Sequence, residues 1–171
     1  VLAFDYRAAA SDYGKAFDLV EKWDETLRWN YKNKEAEALH ALGSATSEQA
    51  PSLAAIDAYK VLLGYIPHGE ENRDWAITSN NMAVVLQTLG ERESDPKKLT
   101  QAIEIFRSSL AVFEREKDDV NWAAAQGNIG NVLLELGQRQ ADPAQLHAAV
   151  EAYRASLSRR DRAKVPLDWA S

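Results

Sequence analysis

Cysteine is missing altogether. Its absence removes disulfides, thiolate catalysis and cysteine-ligated zinc together, and it fits a reducing, cytoplasmic compartment. Long apolar runs are missing too. No stretch approaches the roughly 20 residues that cross a bilayer, and the opening "VLAFDYRAAASDYG" has neither a basic leader nor a clean apolar segment, so neither membrane insertion nor an export signal is expected. Positive charge is in short supply, with 20 Lys and Arg against 26 Asp and Glu and a formal net charge of −6. Phosphate-backbone binding is built from clustered Lys and Arg, so nucleic acid is not an expected partner, and neutral or basic surfaces are the easier electrostatic match. Glycine and proline are sparse, at 8 and 5 residues, while 46% of the chain is hydrophobic. That balance excludes a disordered tail and leaves an ordered chain with material for a core.

Reaction motifs are absent as well. His40, His68 and His147 stand far apart with no second ligand at i+4, so no zinc site or catalytic dyad is formed by spacing. The stretch "ERESDP" sets Glu91, Glu93 and Asp95 at alternate positions but lacks the glycine and closing bidentate Glu of a calcium loop. Helix capping accounts for Asp95 and for its counterpart Asp142. No phosphate loop, dinucleotide fingerprint or nucleophile motif occurs. The expectation is a protein that is not an enzyme and holds no metal or cofactor. The basic run "RASLSRRDRAK" reads as the C-terminal end of a helix, where positive side chains complement the macrodipole.

What the sequence does contain is a repeat. "DWAITSNNMAVVLQTLG" begins at Asp74 and "NWAAAQGNIGNVLLELG" begins 47 residues later at Asn121. Trp75, Trp122 and Trp169 keep the same step, as do Asn81 and Asn128, Gly90 and Gly137, Asp95-Pro96 and Asp142-Pro143, Leu99 and Leu146, Ala102 and Ala149, and Leu110 and Leu157. In all, 18 of 47 aligned positions are identical, which sets chance aside, and a period of this size marks a solenoid or array. The three tryptophans recur at equivalent positions, as packing between repeats requires and a single ligand box does not.

One period reads as two helices. Trp75, Ser79, Met82, Ala83, Leu86 and Leu89 lie on one helical face, and so do Leu99, Ala102, Ile103, Phe106, Leu110 and Phe113. Gly90 is expected to end the first helix in the left-handed conformation, Asp95 to cap the second, and Pro96 to open it. Gly137, Asp142 and Pro143 repeat that punctuation. The spacing predicts first helices near 29–43, 74–90 and 121–137 and second helices near 13–27, 52–64, 97–116 and 144–162. Each hairpin carries two apolar stripes and must stack on neighbours to cover them.

The small residues Ala83 and Gly130, followed by Ala102 with Phe106 and Ala149 with Tyr153, make the phrase "NMAVVLQTLG…AIEIF" resemble a tetratricopeptide repeat. "SDYGKAFDLVEKW" and "SLAAIDAYKVLL" fit the same second-helix pattern through Ala16, Ala55 and Tyr59. Arg28 stands where the repeat predicts a tryptophan, with Trp29 beside it. Family repeats run to about 34 residues, and the extra length is expected in long loops, between Gly90 and Ala102 and between Glu114 and Ala123. The resemblance implies an all-α fold, a right-handed α-solenoid of stacked antiparallel hairpins. The expected organisation is a single array over 1–171, with a partial repeat 1–28, repeats at about 29–73, 74–120 and 121–167, and the start of another at 168–171. Residues 1–10 read as the tail of a first helix and "PLDWAS" as the head of the next, so the chain is expected to be a fragment of a longer bacterial-type array.

In this family the first helices line a concave groove that takes peptides or partner helices. The resemblance places in that groove Asn33, Glu37 and His40, then Asn80, Val84 and Gln87 beside Asn81, then Gly127, Asn131 and Leu134 beside Asn128. Spacings of four and three keep each trio on one face. The Lys and Asn that clamp a C-terminal carboxylate in some members are absent, because these places hold Asn33 with Glu37, Asn80 with Val84 and Gly127 with Asn131. The expected function is a protein-interaction scaffold for a peptide or helical segment of apolar, neutral or basic character. The alternative is a self-assembly module that forms homo-oligomers through its repeat ends.

Overall fold

A computed structural model describes residues 2–66 and 71–164, with side chains from 5 to 66 and from 71 to 160. His68, Trp169 and the "PLDWAS" head lie outside the described residues. Seven helices make up the described chain, with no strand: α1 (Leu2–Leu19), α2 (Glu25–Thr46), α3 (Gln49–Leu63), α4 (Arg73–Glu93), α5 (Pro96–Arg115), α6 (Asp119–Gln140) and α7 (Pro143–Lys164). The fold is all-α. No helix among the described residues is long and apolar enough to cross a membrane. The helices fall into two compact units, Val1–Glu70 and Glu71–Ser171. In the first, α1 packs on α2 and α2 on α3. In the second, α4 packs on α5, α5 on α6 and α6 on α7, and α6 also touches α4.

The second unit is built on three junctions of one design. Each helix runs into a residue in the left-handed region, Ser94 (φ 54), Lys117 (φ 55) or Ala141 (φ 51). An aspartate follows each of them: Asp95, Asp118, Asp142. The aspartate N–H donates back to the carbonyl five residues earlier, of Gly90, Phe113 or Gly137, at 2.9 Å in all three cases, the closing bond of a Schellman end. Its carboxylate then caps the next helix, accepting from Lys97 N (2.9 Å), Asn121 N (3.1 Å) or Ala144 N (2.9 Å). One residue therefore ends one helix and begins another. Pro96 and Pro143 fill the first helical position after two of these caps, where the missing N–H has no partner to lose.

This design corrects two expectations. The period of 47 is not spent in long loops, since α4 to α7 run for 20 to 22 residues and only short turns join them. Gly90 and Gly137 do not end their helices, which continue to Glu93 and Gln140. Glycine stands there because two helices meet. A Cβ at Gly90 would come within 2.9 Å of the Leu99 side chain, and one at Gly137 within 2.8 Å of Leu146. Gly130 meets the Tyr153 ring in the same way at 2.7 Å. In the corresponding places of α4 and α5 stand Ala83 and Phe106, both fully buried, so the larger phenol goes with the smaller neighbour.

The face predicted for α5 is the buried one, with Leu99, Ala102, Ile103, Phe106 and Phe113 in the core and Leu110 at its margin. Ala76, Val112, Phe113 and Ala125 form a cluster where α6 covers the α4–α5 pair, and Trp75, Ile77, Leu110 and Trp122 pack around it. Trp75 and Trp122 thus pack where neighbouring helices meet, as the repeat predicts.

The first unit departs further from the sequence reading. In place of a break before a helix over 13–27, α1 runs unbroken through Gly14, whose Cα lies against α2, so that a Cβ would meet Glu35 Oε1 at 3.2 Å. The break falls at 20–24, and Asp24 caps α2 by accepting from Leu27 N at 3.0 Å. Arg28, in the tryptophan position, closes this corner. Its Nη1 donates to the carbonyls of Phe17 (3.2 Å) and Val20 (2.9 Å), and its guanidinium stacks on the Phe17 ring at 4.1 Å. The last carbonyls of α1, which have no helical partner, are thereby satisfied from α2.

Candidate partner-binding surface

The eleven residues that the sequence assigns to a groove lie on α2, α4 and α6. Asn33, Glu37 and His40 belong to the first unit and the other eight to the second, and the two sets are described in turn. On α2, Asn33 Nδ2 donates to Glu37 Oε1 at 2.9 Å while Lys34 donates to Glu37 Oε2 at 2.7 Å. Asn33 Oδ1 is buried without a hydrogen-bond partner. His40 is half-buried, and burial, which disfavours the imidazolium, lowers its pKa. Its contribution to stability is present above the ordinary imidazole value and fades as pH falls through the lowered one.

On α4, Asn80, Asn81, Val84 and Gln87 are all half-buried. Gln87 Nε2 donates to Glu91 Oε1 at 2.7 Å, one turn on along the same face. Asn80 buries its Oδ1 with no hydrogen-bond partner, so that oxygen is not offered to a ligand.

On α6 the arrangement is more open. Gly127, Asn128 and Asn131 line a cleft of about 370 Å³ with Ala124 of the same helix and with Tyr153, Ser156, Leu157 and Arg160 of α7. Leu134 is half-buried on the same helix and is not part of the lining. Tyr153 Oη donates to Asn131 Oδ1 at 2.8 Å, which fixes the amide and leaves its N–H₂ to donate outward. Burial raises the Tyr153 pKa, so the phenol keeps the proton it donates. Ser156 is buried and its Oγ donates to the Ala123 carbonyl at 2.6 Å, which ties α7 to α6 beneath the cleft.

The sequence reading did not find the α7 half of this cleft. It assigned binding to first helices alone, whereas four lining residues come from a second helix. The available signal was the change from Phe113 to Arg160 at one repeat position, a cation where the preceding copy is apolar. The neighbouring Arg159 is engaged elsewhere: it pairs with Asp119 (2.7 Å) and Glu114 (2.6 Å) and stacks on the Trp122 ring at 4.2 Å.

Searches of protein-family models, of curated proteins and of solved structures find no match to this chain.

Proposed function

We propose that the chain is a protein-interaction scaffold, in which α4 to α7 form two hairpins of a tetratricopeptide-like, right-handed α-solenoid. The inner faces of the first helices take an extended or helical segment of a partner protein. The observation that carries this reading is the Asn131 amide, fixed from behind by the Tyr153 hydroxyl and exposed at a cleft beside Asn128 and Gly127. An oriented amide donates to a peptide carbonyl without first losing rotamer freedom, which is how preorganised polar groups add affinity. Val84 and Leu134, half-buried on the same helices, offer apolar contacts for alternate side chains. On α2 the Asn33 amide is already committed to Glu37, and the acidic balance of the chain favours a neutral or basic segment.

Calorimetry with peptides selected from a displayed library tests the reading. Asn128→Ala with Asn131→Ala should weaken binding at least tenfold, about 1.4 kcal/mol, with melting shifted by no more than about 0.5 kcal/mol. Unchanged affinity in the double variant would refute the groove. A second reading, assembly through the ends of the array, draws on Leu157 and Val150, both exposed on α7. Concentration-dependent sedimentation that disappears in Leu157→Asp would support it.

A further inference from the structure

The 47-residue step brings a covered face and an uncovered one into register. Ile77 and Leu110, which pack around the cluster where α6 covers the α4–α5 pair, correspond to Ala124 and Leu157. Phe113, a member of that cluster, corresponds to Arg160. In the first copy, α6 covers this face with its opening turns, through Trp122 and Ala125. In the second copy the same positions line the open cleft, and Leu157 is 58% exposed. The lining side chains are also smaller, with Ala124 for Ile77 and Gly127 for Asn80, which leaves room for a bulky occupant.

The covering element has a recognisable head. It opens with an acid or amide, a tryptophan and then an alanine, and the chain writes this head three times, as Asp74-Trp75-Ala76, Asn121-Trp122-Ala123 and Asp168-Trp169-Ala170. The third copy lies outside the described residues. We propose that the part of the cleft formed by Ala124 of α6 with Leu157 and Arg160 of α7 is the seat of the chain's own 168–170 segment, with the Trp169 indole against Leu157 and Asp168 facing Arg160.

Charge complementarity supports that occupant. Arg160 has no ion pair among the described residues, and it reaches over the α6 backbone so that a Cβ at Gly127 would lie 3.9 Å from its Nη2. An acidic residue beside the tryptophan suits this cation, and the preceding copy has neither the cation nor the acid, with Phe113 and Asn121 in the two places. The seat shares the cleft with the groove amides: Leu157 and Arg160 line it from α7, and Asn128 and Asn131 from α6.

Fluorine NMR on the 171-residue chain, with its five tryptophans replaced by 5-fluorotryptophan, tests the seat. Trp169→Phe identifies the Trp169 signal, and a peptide of residues 165–171 gives its free position. The Trp169 signal should lie away from the free position and return to it in Leu157→Asp, and move part of the way in Arg160→Glu. Unmoved Trp75 and Trp122 signals show that the fold survives the change, and Leu157→Ser repeats the test should Leu157→Asp unfold. A Trp169 signal at the free position in the parent chain overturns the proposal. So does a displaced signal indifferent to both substitutions, and so does one displaced only at high protein concentration, which would mean a second copy as the occupant. Peptide binding by the groove that persists after any of these results leaves the scaffold reading standing.

Discussion

Trp122 and Trp23 occupy opposite environments, and the difference separates the two units. Trp122 packs on the Ala76, Val112, Phe113 and Ala125 cluster under the Arg159 guanidinium, whereas Trp23 is 81% exposed in the α1–α2 link beside an exposed Leu19. In the second unit one junction device recurs, and every link ends in an aspartate cap. In the first unit the links are individual. Ser47 is left-handed at φ 59, but Glu48, which opens α3, makes no side-chain cap bond, and the end of α1 is closed from a distance by Arg28. Repeated local devices produce a repeated sequence, while closure by tertiary contact leaves no periodic trace.

The largest effect that tests this contrast is Trp122→Ala, expected to cost about 3–5 kcal/mol through lost burial and an unfilled cavity. Trp23→Ala should stay within about 0.5 kcal/mol. Urea melts of the two variants read the difference directly. Equal midpoints would mean that Trp122 contributes no packing between helices, and the ligand-box reading of the tryptophans would return.

A smaller loss, about 1–3 kcal/mol, is expected for Gly137→Ala. Its new Cβ would lie 2.8 Å from the Leu146 side chain and 3.0 Å from the Leu146 backbone nitrogen, and backbone cannot move aside as a flexible side chain does. Gly64→Ala in the first unit is the control, because the nearest atom there is a carbonyl of its own helix, Val61 O, at 3.2 Å. Gly64→Ala should melt close to the parent protein. A Gly137→Ala midpoint as high would show that α6 and α7 can separate at no cost.

Next in size is Asp118→Ala, at about 1 kcal/mol. Burial pushes the Asp118 carboxyl up, but hydrogen bonds from the side chain and backbone of Asn121 and the ion pair with Arg73 outweigh it, and the net pKa is lowered. A lowered carboxylate contributes stability that is fully present above the ordinary carboxylate value and is lost as pH falls through the lowered one. The gap between parent and Asp118→Ala melting temperatures should therefore narrow under acid, below the ordinary carboxylate range. A gap independent of pH would remove the capping account. Glu48→Ala, at the α3 start with no cap bond and an exposed pairing with Arg7, should cost less than Asp118→Ala.

The periodic positions were legible because they answer to local chemistry. The buried face of α5 follows from apolar spacing, and Asp95 and Asp142 were readable as caps from the proline that follows each. Asp24, Asn72 and Asp118 were not read, although each accepts from a backbone N–H three residues on. The first helices are expected to begin near 29, 74 and 121, and the caps at Asp24, Asn72 and Asp118 lie about two to five residues earlier. Continuity of α1 could not be read, since the repeat pattern sets a boundary between residues 10 and 13, and α1 runs across it with Gly14 packed against Glu35 of α2. Of the candidate surface, Gly127, Asn128 and Asn131, which the resemblance assigns to a groove, line one cleft while Leu134 does not, and the α7 wall depends on which second-helix residues a neighbouring repeat leaves uncovered.

The last test concerns the residue type at the junctions, where the sequence reading and the structure predict opposite signs for two positions four residues apart. If Gly137 ended α6 in the left-handed region, it would be the costly site for a side chain because of its φ, and Ala141 would be indifferent to losing one. The structure reverses this. Ala141 holds φ 51, where its Cβ crowds the following carbonyl. Removing that Cβ should stabilise the protein, by about 0.5–1 kcal/mol once glycine's greater freedom in the unfolded chain is set against the relief. Ala141→Gly should thus raise the urea midpoint slightly, and Ser94→Gly and Lys117→Gly should follow it, because all three sit ahead of the same aspartate device at φ between 51 and 55. A falling midpoint in all three would mean that the left-handed residues carry contacts worth more than their strain, and that the three junctions are held by something other than the backbone bond and the aspartate cap.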